Sequence, residues 1–181
     1  MKQAGKLYDA AILGSGLAGS TLAAILARQG FSVLLLESGA HPRFAVGESV
    51  VPEFGARARI MAEAFDVPEL KFQSNFQLVR HHVSANCGIK RNFSFLIHRE
   101  GTEHQADDSC QFQTMTYPLG PDSHMYRPDL DAWLTALAIK YGADYHERTA
   151  VSALVIADAG VTLTAGEKTF RAKFLVDGSG P

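Results

Sequence analysis

Tyr8-Asp9-Ala10-Ala11-Ile12-Leu13 runs directly into Gly14-Ser15-Gly16-Leu17-Ala18-Gly19. An Ala-rich stretch, Ser20 to Gln29, follows, and a second apolar run, Phe31-Ser32-Val33-Leu34-Leu35-Leu36, ends on Glu37. The order predicts strand, tight turn, helix and strand, with an acid at the end of the second strand. Each piece has a task around an adenine dinucleotide. Gly14 permits the turn off the strand, Gly16 lets the backbone approach a pyrophosphate, and Gly19 lets the helix pack close to the strand. The turn and helix N-terminus, with Ser15, Leu17 and Ala18, face the anion, and Glu37 is placed for a ribose 2′-hydroxyl. Gly14 and Glu37 are 23 positions apart, close to the separation of about 20 that this fingerprint shows. An acid there favours FAD or NAD over NADP, whose 2′-phosphate it repels.

Working outward, the 181 residues suffice for one domain with a real core. A hydrophobic content of 46% and a charged content of 20% are those of a globular protein. The net charge of −2 gives no basic surface for nucleic acid. The two cysteines, Cys87 and Cys110, lie in unrelated contexts without zinc-ligand spacing, and unpaired thiols suit a reducing cytoplasm. No run approaches the roughly 20 apolar residues of a membrane span. His81 and His82 lack metal-partner spacing and read as strand-surface residues.

Beyond Glu37 a loop is expected over Ser38 to Pro52. A helix follows over about Glu53 to Phe65, which Pro68 keeps from continuing. Gln77–Val83 and Asn92–Glu100 read as strands, the latter with Phe93, Phe95 and Ile97 on one face. On that periodicity Lys90 shares the polar face with Asn92, Ser94 and His98, the place of a solvated lysine. Thr102 to Pro121 reads as an exposed, turn-rich insertion with a short strand. A helix opens at Tyr126-Arg127-Pro128 and closes at Gly142, with Leu130, Trp133, Leu134, Leu137 and Ala138 as its apolar stripe. Val151–Ala157 and Val161–Ala165 flank a hairpin turn, and Phe174-Leu175-Val176 reads as a buried strand ending at Asp177-Gly178-Ser179-Gly180.

This order of parts resembles the FAD monooxygenase superfamily, and three segments narrow the resemblance to flavin-dependent halogenases of the phenolic, phloroglucinol type. They are His41-Pro42-Arg43-Phe44 followed by Gly47-Glu48-Ser49; Pro52-Glu53; and Cys87-Gly88-Ile89-Lys90 followed by Phe93-Ser94-Phe95. The resemblance implies an α/β, Rossmann-like FAD-binding domain over residues 1–181. Segments of about 6–80 and 125–181 would form that domain, and a β-rich, substrate-side insertion at about 81–124 would interrupt it. It is incomplete at the C-terminus, because the family's Trp-x-Trp-x-Ile-Pro segment lies downstream and Trp133 is the single tryptophan.

Carried onto this chain, the resemblance makes Lys90 the lysine that receives hypohalous acid near a bound aromatic. Glu53 becomes an acid that orients or deprotonates a phenol; the alternative is an ordinary helix-start acid. Gly47, Glu48 and Ser49 lie along the isoalloxazine, Arg43 and Arg127 reach the FAD, and Asp177 and Gly178 form its second contact. For both arginines a surface role is the competing reading. The implied chemistry uses FADH2 from a separate reductase. Reaction with O2 gives a flavin hydroperoxide, and chloride or bromide attacks it to give the hypohalous acid that halogenates a small, electron-rich aromatic. Competing readings are an aromatic hydroxylase or reductase on the same scaffold, or a non-catalytic FAD-binding fragment. The oligomeric state is left open by the sequence.

Overall fold

The computed structural model describes residues 6–51, 53–113, 115–116 and 120–180. β1 (Leu7–Leu13), α1 (Leu17–Arg28) and β2 (Val33–Leu36) form the expected opening unit, with β1 and β2 parallel and paired from Ala10↔Val33 to Leu13↔Leu36. Gly16 caps α1 with extended backbone, and Ala23, Ala24 and Ile25 turn its apolar side onto the sheet. All four residues of β2 are buried, as a strand covered on both faces requires.

α2 (Phe54–Ala64) begins within a residue of its expected start. Pro68 then opens a 3-10 turn, Pro68–Gln73. The strand expected over Gln77–Val83 is instead a helix, α3 (Phe76–His82). Its start is set by Asn75, whose Oδ1 accepts the Leu78 N–H at 2.9 Å, and its last turn carries Arg80, His81 and His82. A capped start and a basic end suit a helix better than the weak alternation read from the sequence. His82 stacks on Phe72 at 4.0 Å.

β3 (Cys87–Lys90) and β4 (Asn92–Leu96) are separate strands that enter different sheets. β4 pairs with β5 (Ser109–Gln113) as a hairpin that groups the rings of Phe93, Phe95 and Phe112. β3 pairs with β7 (Gly120–Met125), which also borders β6 (Met115–Thr116). Residues 102–113 are exposed as expected, except Asp108, whereas Asp122, Ser123 and Met125 of β7, just past the insertion, are buried.

α4 (Arg127–Tyr141) matches its expected bounds and ends at Gly142 in the left-handed region. Its residues Leu130, Leu134, Leu137 and Ala138 share one core with α1 and the sheet. β8 (Asp144–His146), missed in the sequence, extends the sheet in parallel beside β2. The meander β9 (Ala153–Ala157), β10 (Gly160–Ala165) and β11 (Lys168–Asp177) completes the order β8-β2-β1-β11-β10-β9. β11 runs parallel to β1, from Leu7↔Arg171 to Leu13↔Asp177. Its end was expected to be buried, yet Phe174 is 72% exposed and Val176 is also exposed. They stand beside Ala10 and Ile12 in the strand register, but neither joins the helix-covered core that holds Ile12. Among the described residues no helix is long and apolar enough to cross a membrane.

The contact between β1 and α1 is limited by Gly19. A Cβ there would overlap the Gly14 carbonyl oxygen, which is backbone and cannot rotate away. Gly19→Ala is expected to cost about 3 kcal/mol, the upper end for overpacking a close contact. For a domain of this size that is a fall in melting temperature of roughly 6–12 °C, readable by thermal unfolding. A variant that melts with the unsubstituted chain would show that α1 can shift to make room.

Candidate functional site

Three backbone segments meet where β1, β2 and β11 end. The turn after β1 holds Gly14 at φ 86°, and a Cβ there would lie 2.5 Å from the Gly178 carbonyl oxygen. Gly178 donates its N–H to the Leu13 carbonyl at 2.8 Å, so the turn after β11 rests directly on the turn after β1. Asp177 beside it is exposed and accepts the N–H and hydroxyl of Ser179, at 3.0 and 2.6 Å. Those two bonds hold its carboxyl below the usual range. Leu17, half-buried, and Ala18, exposed, begin α1, and their N–H groups have no acceptor within the helix.

A groove of about 470 Å³ opens at this junction, bordered by Gly14, Glu37, Gly39, Arg43, Val151 and Ser179. Glu37, at the end of β2, is 3% exposed. Its carboxylate accepts the Ser15 N–H at 2.9 Å, the Ser15 hydroxyl at 3.0 Å and the Gly39 N–H at 2.9 Å. Arg43 approaches it at 3.3 Å. Burial alone pushes this carboxyl up. The hydrogen bonds from Gly39 and Ser15, with the Arg43 charge, outweigh burial and bring it down to about 2. His41 Nε2 lies 2.7 Å from the Ser15 hydroxyl.

Two guanidinium groups converge in front of α1. A Cβ on Gly16 would meet Arg43 Nη2 at 3.6 Å and Arg127 Nη2 at 3.7 Å. Arg127 opens α4 and is gripped bidentately by buried Asp131 one turn later, both contacts at 2.9 Å. Its remaining Nη1 donates to the Val46 carbonyl at 2.7 Å and touches the Gly47 position. Arg43 Nε is buried with no hydrogen-bond partner among the described residues. An anion between the two arginines, at open helix N–H groups, suits this geometry. The donor set fits the pyrophosphate of a dinucleotide, and Glu37 borders the neighbouring groove.

From Arg43 the loop crosses to the β3–β7 sheet, fixed carbonyl by carbonyl. Val46 is held by Arg127, and the Glu48 carbonyl accepts the Met125 N–H at 2.9 Å. Ser49 forms a β-bridge to His124. The next carbonyl, that of Val50, accepts Lys90 Nζ. The Glu48 side chain is exposed, so its carbonyl and not its carboxylate anchors the loop. Pro52 lies outside the described residues. Glu53 stands exposed at the start of α2, three residues past Val50, and makes no side-chain cap.

Lys90 departs from the periodicity reading. It is 3% exposed, because β3 ends at Lys90 and β4 starts a different sheet two residues later, so face parity does not carry across. Its Nζ lies 4.5 Å above the Phe93 ring. Burial lowers its affinity for a proton, and Asp122, its cross-strand partner, raises it. An open cleft of about 480 Å³ adjoins this sheet, between Glu48, Cys87, Gly88 and His124.

Sequence reasoning missed Asp122 and the groove wall at Thr149–Val151. It also missed Asp131, although an acid four residues after Arg127 on a helix was a readable signal.

Glu37 makes a pH-dependent contribution to stability. The folded carboxyl, near 2, lies below the ordinary 4.5. Its contribution is therefore full above pH 4.5 and lost as pH falls toward 2. Denaturant melts across that window should show Glu37→Gln losing less stability on acidification than the parent chain; parallel curves would remove Glu37 from the account.

A family model described as an NAD(P)-binding Rossmann-like domain matches residues 12–71. The chain is 41% identical over 175 residues to monodechloroaminopyrrolnitrin halogenase PrnC of Pseudomonas fluorescens. That match covers 96% of this chain and 31% of PrnC. It is 38% identical over 174 residues to tetracycline 7-halogenase of Kitasatospora aureofaciens, again 96% of this chain and 31% of the relative. The crystal structure of halogenase PltM superposes with a TM-score of 0.83 at 34% identity, covering 96% of this chain and 34% of PltM. PltM has also been crystallised in complex with phloroglucinol and FAD. The chain thus spans about a third of the length of these relatives. Its fold is their Rossmann-like FAD-binding fold, and the chain belongs to the flavin-dependent halogenase family.

Proposed function

We propose that this chain is the cofactor-binding portion of an FADH2-dependent halogenase that chlorinates or brominates an electron-rich, phenolic aromatic. The observation that carries the reading is the buried Lys90, whose Nζ is tied to the Val50 carbonyl at the far end of the loop that starts at the dinucleotide groove. A lysine removed from water yet linked to a cofactor loop suits a reacting group better than a surface charge.

Gly16, the N-terminus of α1 and the pair Arg43 and Arg127 hold the pyrophosphate; Glu37 holds the adenosine ribose; Gly47, Glu48, Ser49, Asp177 and Gly178 line the path to the flavin ring. When bound and reduced, FAD supplies the electrons that let O2 oxidise chloride or bromide. Lys90 then holds hypohalous acid by a hydrogen bond from Nζ, which withdraws electron density from the halogen and makes it more electrophilic. Glu53, at the end of the same loop, orients the phenol hydroxyl and accepts its proton. In this reading residues of about 6–80 and 125–181 form the cofactor domain, and about 81–124 belongs to the substrate side. The reduced flavin comes from a separate reductase in the cytosol, a setting that the free Cys87 and Cys110 suit.

The test uses the complete polypeptide with reduced FAD, O2, chloride and a panel of phenols and pyrroles. Chlorinated phenol is the expected product. Lys90→Ala should lower halogenation by about 100-fold or more while oxidation of reduced flavin by O2 continues. Full chlorination by that variant would remove Lys90 from the mechanism, and hydroxylated product alone would replace halogenase by hydroxylase.

For the chain by itself, fluorescence titration should show FAD binding, weakened about tenfold or more by Arg127→Ala, as loss of a charge-assisted contact requires. Unchanged affinity would place the pyrophosphate elsewhere.

A further inference from the structure

We propose that Asp122 is the positioning residue for Lys90, holding its side chain as an ammonium aimed along the Val50 carbonyl. The functional meaning of this pairing rests on Lys90 being the halogenating lysine; the pairing itself does not.

Lys90 and Asp122 are directly opposed in the antiparallel β3–β7 pair, and both are buried. Opposed residues on such strands project to the same face with Cβ atoms about 5 Å apart. β7 also supplies Met125 and His124, which hold the cofactor loop at Glu48 and Ser49. One strand therefore sets both the loop and the acid that faces the lysine.

The groups around Nζ favour a cation. The loop presents the Val50 carbonyl oxygen, β4 presents the face of the Phe93 ring at 4.5 Å, and β7 places Asp122 opposite Lys90 in the strand register, where its charge acts on the lysine. A carbonyl dipole, an aromatic face and a negative charge each attract an ammonium and give a neutral amine little. Asp122 is a charged group that acts on Lys90. Burial pulls the lysine toward the neutral form and Asp122 opposes it; burial likewise pushes the Asp122 carboxyl up and Lys90 opposes that.

The choice of protonation state selects the chemistry. A neutral amine would react with hypohalous acid to give a haloamine and water. An ammonium has no lone pair for that step. It donates a hydrogen bond to the oxygen of hypohalous acid; a ring carbon takes the halogen as the halogen–oxygen bond breaks. The departing hydroxide takes a proton from Nζ to become water, and the proton lost from the ring restores the ammonium. Asp122 thus commits Lys90 to hydrogen-bond activation and against haloamine formation.

The experiment is an NMR titration of the Lys90 Cε resonance in this chain. In Asp122→Asn the Lys90 midpoint should fall by about one unit or more, the effect of removing one near charge, and Asp122→Glu should restore it. Equal midpoints for the parent and Asp122→Asn overturn the proposal. If the Asn variant does not fold, the unsubstituted chain decides. Its Lys90 resonance should show a second inflection where the Asp122 Cγ titrates, and no such inflection overturns the proposal. In the complete polypeptide, the alkaline limb of halogenation should move to lower pH in Asp122→Asn while oxidation of reduced flavin stays unchanged. A shifted Lys90 midpoint with an unshifted halogenation profile leaves the pairing in place and overturns the role of Lys90 in the chemistry.

Discussion

The missing side chain at Gly19 sets the distance between α1 and β1, and much of the site is positioned from that distance. With α1 pressed against the Gly14 carbonyl, its first turn opens at the end of β1, where the Arg43 and Arg127 guanidinium groups approach Gly16. α4 packs on the other side of α1 through Leu130, Leu134 and Leu137, so its own first residue, Arg127, arrives in front of Gly16. A second strand end, that of β11, then closes against the same turn through Gly178 and Leu13. Had α1 stood one methyl group farther out, these three arrivals would no longer coincide.

The connection from groove to lysine works differently. The loop from Ser38 to Val51 contains no helix or strand, yet its carbonyls at Val46, Glu48 and Val50 are each occupied, by Arg127, Met125 and Lys90. Irregular backbone can be ordered when its polar groups find fixed partners. Here the partners come from α4, β7 and β3, so the loop registers the dinucleotide-binding layer against the small sheet. Lys90 is at once a product of that registration and part of what maintains it.

The sequence made the dinucleotide unit legible because its constraints are local: glycines at fixed offsets, helical periodicity, an acid at a strand end. The α4 helix was legible for the same reason, through Arg127-Pro128 and the stripe ending at Gly142. What was not legible depended on pairing between distant segments. The burial of Lys90 follows from β3 joining β7, which no periodicity within Cys87–Leu96 encodes. Asp122 is a charged residue in a polar stretch until that pairing makes it the neighbour of Lys90. Phe174 was read as core from its type, but exposure depends on which neighbour covers β11, and Phe174 lies outside the core that α1 and α4 share. At α3 a local signal was present and overlooked, because Asn75 as a helix cap outweighs a few alternating residues.

The Gly178–Leu13 contact also has a consequence for the order in which the protein acquires its parts. β1 and β11 are adjacent in the sheet yet are separated by most of the chain. On a ribosome, β1, α1 and β2 emerge early with their glycine turn open on one side. That side is closed only by residues near 178, after the helices and the meander have been synthesised. Pairing over such a separation is slow relative to local helix formation. The contact between the two turns is therefore completed later than the local β1–α1–β2 unit, once β11 has been made and paired with β1.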